Sequence, residues 1–146
     1  MECTVREMKL EDVENVVDYF HEATPDFLKA MGADRNKLPE RSVWIQKLRS
    51  SVVKPVQKKH YYYIIWLLDG MPVGHSNCNA IVYGQMAQMH LHLWDSARRK
   101  KGLGTIFLRK TIAGYFRELQ LQELFCEPYA LTVSYTHLTL PTTPYV

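Results

Sequence analysis

The sequence predicts an α/β fold of the mixed α+β kind, in which one mixed sheet carries helices on its faces. Short runs of β-branched and aromatic residues alternate with stretches whose apolar residues recur at helical spacing. A basic turn with two glycines stands between one such strand and one such helix. These observations give the order β-α-α-β-β-β-α-β. A chain of 146 residues is the size of one domain.

The first third of the chain predicts a strand and two helices. Residues 4–8 form the strand, and the helix that follows ends near Glu22, before Pro25. Its apolar residues are Leu10, Val13, Val17 and Phe20. After a loop around Gly32, Pro39 suits the start of a second helix. The apolar residues of the second helix are Trp44, Ile45 and Leu48, and it ends before Pro55.

The remaining elements include a hairpin and the third helix. Residues 61–68 and 71–80 predict two strands, joined by the turn signal Asp69-Gly70. Residues 85–94 predict a fourth strand and residues 123–127 a fifth. Between them, the third helix extends from about residue 103 to residue 119. Its apolar stripe consists of Leu108, Ile112, Tyr115 and Leu119.

Composition narrows the class of protein. The net charge of +3 is too small to argue for a nucleic-acid partner. No apolar run approaches the length of a membrane span, and the N-terminus lacks the pattern of a signal peptide. Cys3, Cys78 and Cys126 are odd in number and widely spaced, so they support neither a disulfide framework nor a zinc site. We therefore expect a cytoplasmic protein without a membrane partner.

The turn before the third helix has the features of a phosphate-binding site. Gly102 and Gly104 allow backbone N–H groups to approach a ligand closely, and residues 98–101 add positive charge beside the helix N-terminus. A dinucleotide-binding turn would place a third glycine where Phe107 stands, and the P-loop pattern is absent from the sequence. The alternative is a solvated basic turn without a ligand.

The pattern Arg99-x-x-Gly102-x-Gly104, together with the order of elements, resembles the acetyl-CoA pyrophosphate motif of the GCN5-related N-acetyltransferases, the GNAT superfamily. The resemblance covers about residues 5–131. It implies that the fourth and fifth strands splay apart and that pantetheine pairs with the backbone near Leu91 and Leu93. The residues it assigns to the pyrophosphate are Arg99, Lys100, Lys101, Gly102, Leu103, Gly104 and Thr105. The implied cosubstrate is acetyl-CoA, and no metal is implied.

Glu127 is the predicted catalytic base. Residues 127–131 resemble the strand end of ribosomal-protein alanine N-acetyltransferases, where a glutamate is followed five positions later by asparagine. Here that position holds Thr132. A base is needed because the acceptor amine must be neutral to attack the thioester. The alternative is an exposed carboxylate at the end of a strand.

His90 and His92 are predicted to relay a proton. They share one face of the fourth strand with Trp94, opposite Met89 and Leu91. The pair also suits a partly buried structural role, and it lacks a third ligand at a spacing that would support a metal site.

The last fifteen residues differ in character from the rest. Residues 132–146 are rich in threonine and proline, and residues 133–143 resemble the conceptual translation of a sequencing adapter. We therefore expect the domain to occupy residues 1–131 and to lack the last helix and strands of the GNAT fold, including the helical tyrosine that serves many relatives as general acid. A natural disordered terminus is the alternative.

These patterns predict an acetyl-CoA-dependent N-acetyltransferase that moves an acetyl group to a primary amine of a small molecule or a protein N-terminus. A non-catalytic CoA-binding or interaction domain is the alternative. A weaker alternative is a nucleic-acid-binding protein that would use Lys58, Lys59 and residues 98–101. The expected partners are acetyl-CoA and the amine, and a homodimer stays open.

Overall fold

The structure, a computed structural model, describes residues 2–30, 35–94, 102–126 and 131–134. Its strands form one six-stranded sheet in the order β1-β2-β3-β4-β5-β6. The strands are β1 (Cys3–Glu7), β2 (Tyr62–Leu68), β3 (Met71–Val82), β4 (Met86–Leu93), β5 (Glu123–Cys126) and β6 (Leu131–Ser134). The α-helices are α1 (Val13–Glu22), α2 (Pro25–Ala30), α3 (Arg41–Val52) and α4 (Leu103–Leu119). Neighbouring strands are antiparallel except for β4 and β5, which are parallel.

The predicted mixed α+β architecture is confirmed, with two additions. Helix α2 occupies part of the predicted loop, because Pro25 both ends α1 and fits the first turn of a new helix. Strand β6 pairs antiparallel with β5 at the edge of the sheet. The predicted domain boundary at Leu131 falls at the start of this strand, so the pairing continues three residues beyond it.

The sheet separates two cores. On one face, α4 packs its buried stripe, including Phe107, Ile112 and Tyr115, against the strands. On the other face, α1 and α3 pack around Ile65 of β2, with Val16 and Leu48 fully buried there. Leu10 is an exception to the predicted stripe of the first helix, since it lies in a 3-10 turn before α1 and is exposed.

The hairpin turn between β2 and β3 is confirmed. Asp69 and Gly70 both adopt positive φ, at 50° and 82°, which tight two-residue hairpin turns require. At its other end β3 is irregular, with a register shift between Asn79 and Val82 and positive φ at Ala80. The turn fixes the start of β3, and the irregularity sets the register between β3 and β4.

Candidate functional site

Among the described residues, the last pair between β4 and β5 lies before the end of β4. The parallel register extends from Met86 opposite Glu123 to Met89 opposite Cys126. Strand β4 continues to Leu93, and on its other side it stays paired with β3 up to Leu93 opposite Gly74. In the described residues, His90 to Leu93 therefore have a ladder partner on the β3 side only. The predicted splay of the fourth and fifth strands concerns residues 127–130 on the β5 side, which lie outside the described residues, so it stays a prediction.

Helix α4 begins beyond the end of β4, as predicted. Gly102 is the N-cap residue, with φ 73°, a conformation that favours glycine. No side chain caps the helix among the described residues, so N–H groups of the first turn are available to another acceptor. Leu103 is buried, so only its backbone can serve a ligand, whereas Gly104 and Thr105 are half-buried.

Gly104 is not required by the fold that the structure describes. A Cβ built on this residue meets no described atom within 4 Å. Glycine in a helix costs about 0.5–1 kcal/mol relative to alanine. The residue therefore carries a conformational cost that the packing of the described residues does not explain.

Four predicted site residues lie outside the described residues: Arg99, Lys100, Lys101 and Glu127. Their assignments, like those of Gly102, Gly104 and Thr105, stay predictions. Leu91 is described and packs partly buried against the α4 core, while Leu93 is described only by its backbone pairing.

His90, His92 and Trp94 lie on the α1 side of the sheet, opposite Met89 and Leu91. The alternation predicted from the sequence is thus present. The ring of His92 contacts Phe20 of α1 at a centroid distance of 5.0 Å. Its Nδ1 lies 3.3 Å from the hydroxyl oxygen of Tyr19.

His75 of β3, which the sequence analysis did not single out, is the most buried polar group on this face. Its exposed fraction is 0 %. It lies opposite His92 in the ladder, and the two rings stack with centroids 4.9 Å apart. Burial first, and then the neighbouring His92, hold the pKa of His75 well below its ordinary value.

Trp94 fixes the tautomer of His75. Its indole Nε1–H donates to Nδ1 of His75 over 2.9 Å. Because an indole can only donate, Nδ1 is unprotonated and the neutral ring carries its proton on Nε2. Nε2 has no hydrogen-bond partner within the described part of the chain. The imidazole is therefore a neutral ring whose orientation is fixed on one side only.

A buried hydroxyl pair connects the α4 core to the backbone of β4. The Tyr115 hydroxyl donates to Ser76 Oγ over 2.8 Å, and Ser76 Oγ donates to the carbonyl of His90 over 2.7 Å. Both side chains are fully buried. These bonds hold the backbone of His90, which follows the last described pair between β4 and β5.

Lys59 does not contribute to a basic surface. Its ammonium group donates to the carbonyls of Ser51 and Val52, over 2.6 and 2.8 Å, at the C-terminal end of α3. It also lies 3.4 Å from Glu7. The interpretation that grouped Lys59 with Lys58 as a nucleic-acid contact is wrong for Lys59, because its side chain is buried in this cap.

The described residues contain neither a candidate membrane span nor a candidate metal cluster. None of the helices there is long and apolar enough to cross a membrane. No group of three or more histidine, cysteine, aspartate or glutamate side chains in the same residues is placed to hold a metal ion.

No protein-family model and no curated protein matches the chain. Solved structures match it at low identity. The crystal structure of the aminoglycoside acetyltransferase AAC(6')-Ib in complex with coenzyme A is 18% identical, with a TM-score of 0.64 over 89% of this chain and 78% of that one. RimL, the ribosomal L7/L12 alpha-N-protein acetyltransferase, in complex with coenzyme A is 12% identical, with a TM-score of 0.65 over 85% and 69% of the two chains.

A third match carries the family name itself. The acetyltransferase of the GNAT family from Streptococcus pneumoniae is 16% identical, with a TM-score of 0.60 over 86% of this chain and 73% of that one. Identities this low show the fold, and the fold agrees with the order of elements, the parallel pairing of β4 with β5 and the position of α4. The chain therefore has the fold of the GNAT acetyltransferases.

Proposed function

We propose that the protein is an acetyl-CoA-dependent N-acetyltransferase that acts on a primary amine. The observation that carries the proposal is the start of α4 at Gly102, in the left-handed conformation and with no side-chain cap among the described residues, after a strand β4 that pairs in parallel with β5. In the proposal, the backbone of β4 beyond Met89, on the side away from β3, pairs with an extended amide chain such as pantetheine. The helix N-terminus offers N–H groups and a positive dipole end to a diphosphate.

The described residues fit coenzyme A. Gly102 supplies the left-handed N-cap, and a Cβ on Gly104 would project into space that no described atom occupies within 4 Å. Coenzyme A would supply the activated acetyl thioester. In the proposal, Arg99, Lys100 and Lys101 add positive charge to the pyrophosphate, and the backbone of Leu91 and Leu93 pairs with the pantetheine.

The proposed chemistry is direct transfer. The amine loses a proton to Glu127, assisted by His90 and His92, and its nitrogen attacks the thioester carbonyl. The C–S bond then breaks, which gives an amide and the coenzyme A thiolate. Position alone supports the relay: His90 and His92 alternate with Met89 and Leu91, which pack in the α4 core, and they follow the last described pair between β4 and β5.

The test is amine-dependent release of the coenzyme A thiol by the full chain. A panel of primary amines is offered with acetyl-CoA, and the acetylated amine is identified by mass spectrometry. We expect an equal amount of free thiol and acetylamine. Tight binding of coenzyme A with no acetylamine from any member of the panel would favour a non-catalytic CoA-binding domain instead.

A further inference from the structure

Three partly exposed rings lie together on the α1 side of the sheet, where Tyr19 contacts both His92 and Trp94; we call them the ring wall. The centroid of Tyr19 lies 5.4 Å from that of His92 and 6.4 Å from that of Trp94. The rings come from three separate places in the chain, α1, β4 and the residue after β4. The fold therefore assembles an aromatic surface that no single element provides.

His75 contacts every ring of this wall from beneath. It stacks on His92, receives the hydrogen bond from Trp94, and meets Tyr19 edge to face at a centroid distance of 5.6 Å. A fully buried residue that touches all three rings limits their rotation. Since rings already held in place lose little entropy on binding, such a surface is suited to a ligand.

The ring wall lies where the acceptor of the proposed reaction would approach. His92 and Trp94 follow Met89, the last residue of β4 with a described partner in β5. Helix α4, which would hold the pyrophosphate, packs on the opposite face of the sheet. A thioester that reaches between the strands is therefore met by an amine arriving from the side of the ring wall.

Two of the three carboxylates of α1, the helix that supplies Tyr19, are engaged by arginines. Asp18 and Glu14 of α1 face arginines of α3: Asp18 lies 2.7 Å from Arg41, and Glu14 lies 3.6 Å from Arg49. Carboxylates engaged in this way are poorly available to a substrate with several positive charges. Aromatic faces, in contrast, attract one ammonium group and stack against another ring.

We propose that the ring wall binds the acceptor, and that the acceptor is a monoamine that carries an aromatic ring. This inference rests on the proposed function, since it names the substrate class of the same site. It gives Tyr19, His92 and Trp94 the role of specificity-determining residues and His75 that of a positioning residue.

The test measures amine affinity by NMR of the tryptophan and histidine ring resonances, without and with coenzyme A. The probes are 2-phenylethylamine, n-butylamine and spermidine. We expect 2-phenylethylamine to bind about tenfold more tightly than either of the others, which is the worth of the stacked ring, since all three amines can make a cation–π contact. The variants Trp94→Leu and Tyr19→Leu should lose this preference.

Trp44→Leu is the matched control. Trp44 lies in the same core, packed on Phe20 and His21 at centroid distances of 5.2 and 5.8 Å, outside the ring wall. It should destabilise the fold and keep the preference. Both Trp94→Leu and Tyr19→Leu are measured, so that the test still works if one of these variants does not fold.

The inference is overturned if n-butylamine or spermidine binds as tightly as 2-phenylethylamine, or if no amine binds. It is also overturned if both variants of the wall keep the preference. If the wild type binds no coenzyme A but still prefers 2-phenylethylamine, the proposed function is contradicted and the amine preference of the ring wall is not. The two failures can therefore be told apart.

Discussion

The indole of Trp94 and the imidazole of His75 form a hydrogen bond of 2.9 Å that joins the end of β4 to the middle of β3. The bond fixes the orientation of the partly exposed Trp94 ring relative to the fully buried His75 ring. It also determines which nitrogen of His75 carries the proton.

The protonation of His75 gives the first prediction. Its pKa is lowered in the folded protein, so the unfolded chain binds a proton first, below about pH 6.5. The contribution of His75 to stability is therefore full above about pH 6.5 and declines as the pH falls from there toward the folded pKa. Histidine ¹⁵N shifts at pH 6 should report the neutral Nε2–H tautomer for His75. A charged His75 at that pH would contradict the assignment.

The second prediction concerns Lys59, which caps the C-terminal end of α3, and its exposed neighbour Lys58. Lys59→Met keeps the aliphatic stem and removes the donors to the carbonyls of Ser51 and Val52. We expect the free energy of unfolding to fall by about 1.5–3 kcal/mol. The control, Lys58→Met, changes an exposed residue and should stay within about 0.5 kcal/mol. Urea denaturation measures both, and equal effects would contradict the cap.

The C-terminal segment gives the third prediction. The sequence predicts a domain that ends at residue 131, whereas β6 pairs with β5 up to Ser134. We therefore propose that residues 135–146 are foreign to the domain, and expect a chain ending at Ser134 to keep the full free energy of unfolding. A chain ending at residue 130 loses the four residue pairs between β5 and β6. It should be less stable by about 1–3 kcal/mol. If the chain ending at Ser134 is less stable than the full chain, residues 135–146 belong to the domain.

Glu127 gives the fourth prediction. Glu127→Gln keeps the shape of the side chain and removes the proposed base, so acetyl transfer should fall by roughly 10²–10⁴-fold. The loss should shrink at high pH, where more of the amine is already neutral. The affinity for coenzyme A is the internal control and should not change. An unaltered pH–rate profile would place the base elsewhere, with His90 and His92 the next residues to vary.

Both ends of helix α4, Leu103 and Leu119, could be predicted from the sequence. Its apolar period is regular, and Gly102 before it has the positive φ that glycine favours. Helix α2 could not, because Pro25 is compatible with both the end of one helix and the start of another.

The contact between His75 and His92 was also beyond the sequence. Their pairing depends on the register of β3 against β4, which the irregularity between Asn79 and Val82 sets. A slip of one residue would turn His75 to the opposite face of the sheet. The alternation along β4 predicted the face on which His92 lies. It did not predict that His75 of β3 is its partner in the ladder.

The central claim is that the turn at Gly102 and the first turn of α4 bind the pyrophosphate of coenzyme A. The most direct test is calorimetry of coenzyme A with the wild type, Gly104→Glu and Ala113→Glu. Ala113 is exposed on the same helix and two turns away, so its variant adds the same charge without reaching the turn. We predict that Gly104→Glu weakens binding by at least about a hundredfold, through steric clash and repulsion between charges, while Ala113→Glu binds like the wild type. No binding by the wild type, or unchanged affinity in a folded Gly104→Glu protein, would contradict the account.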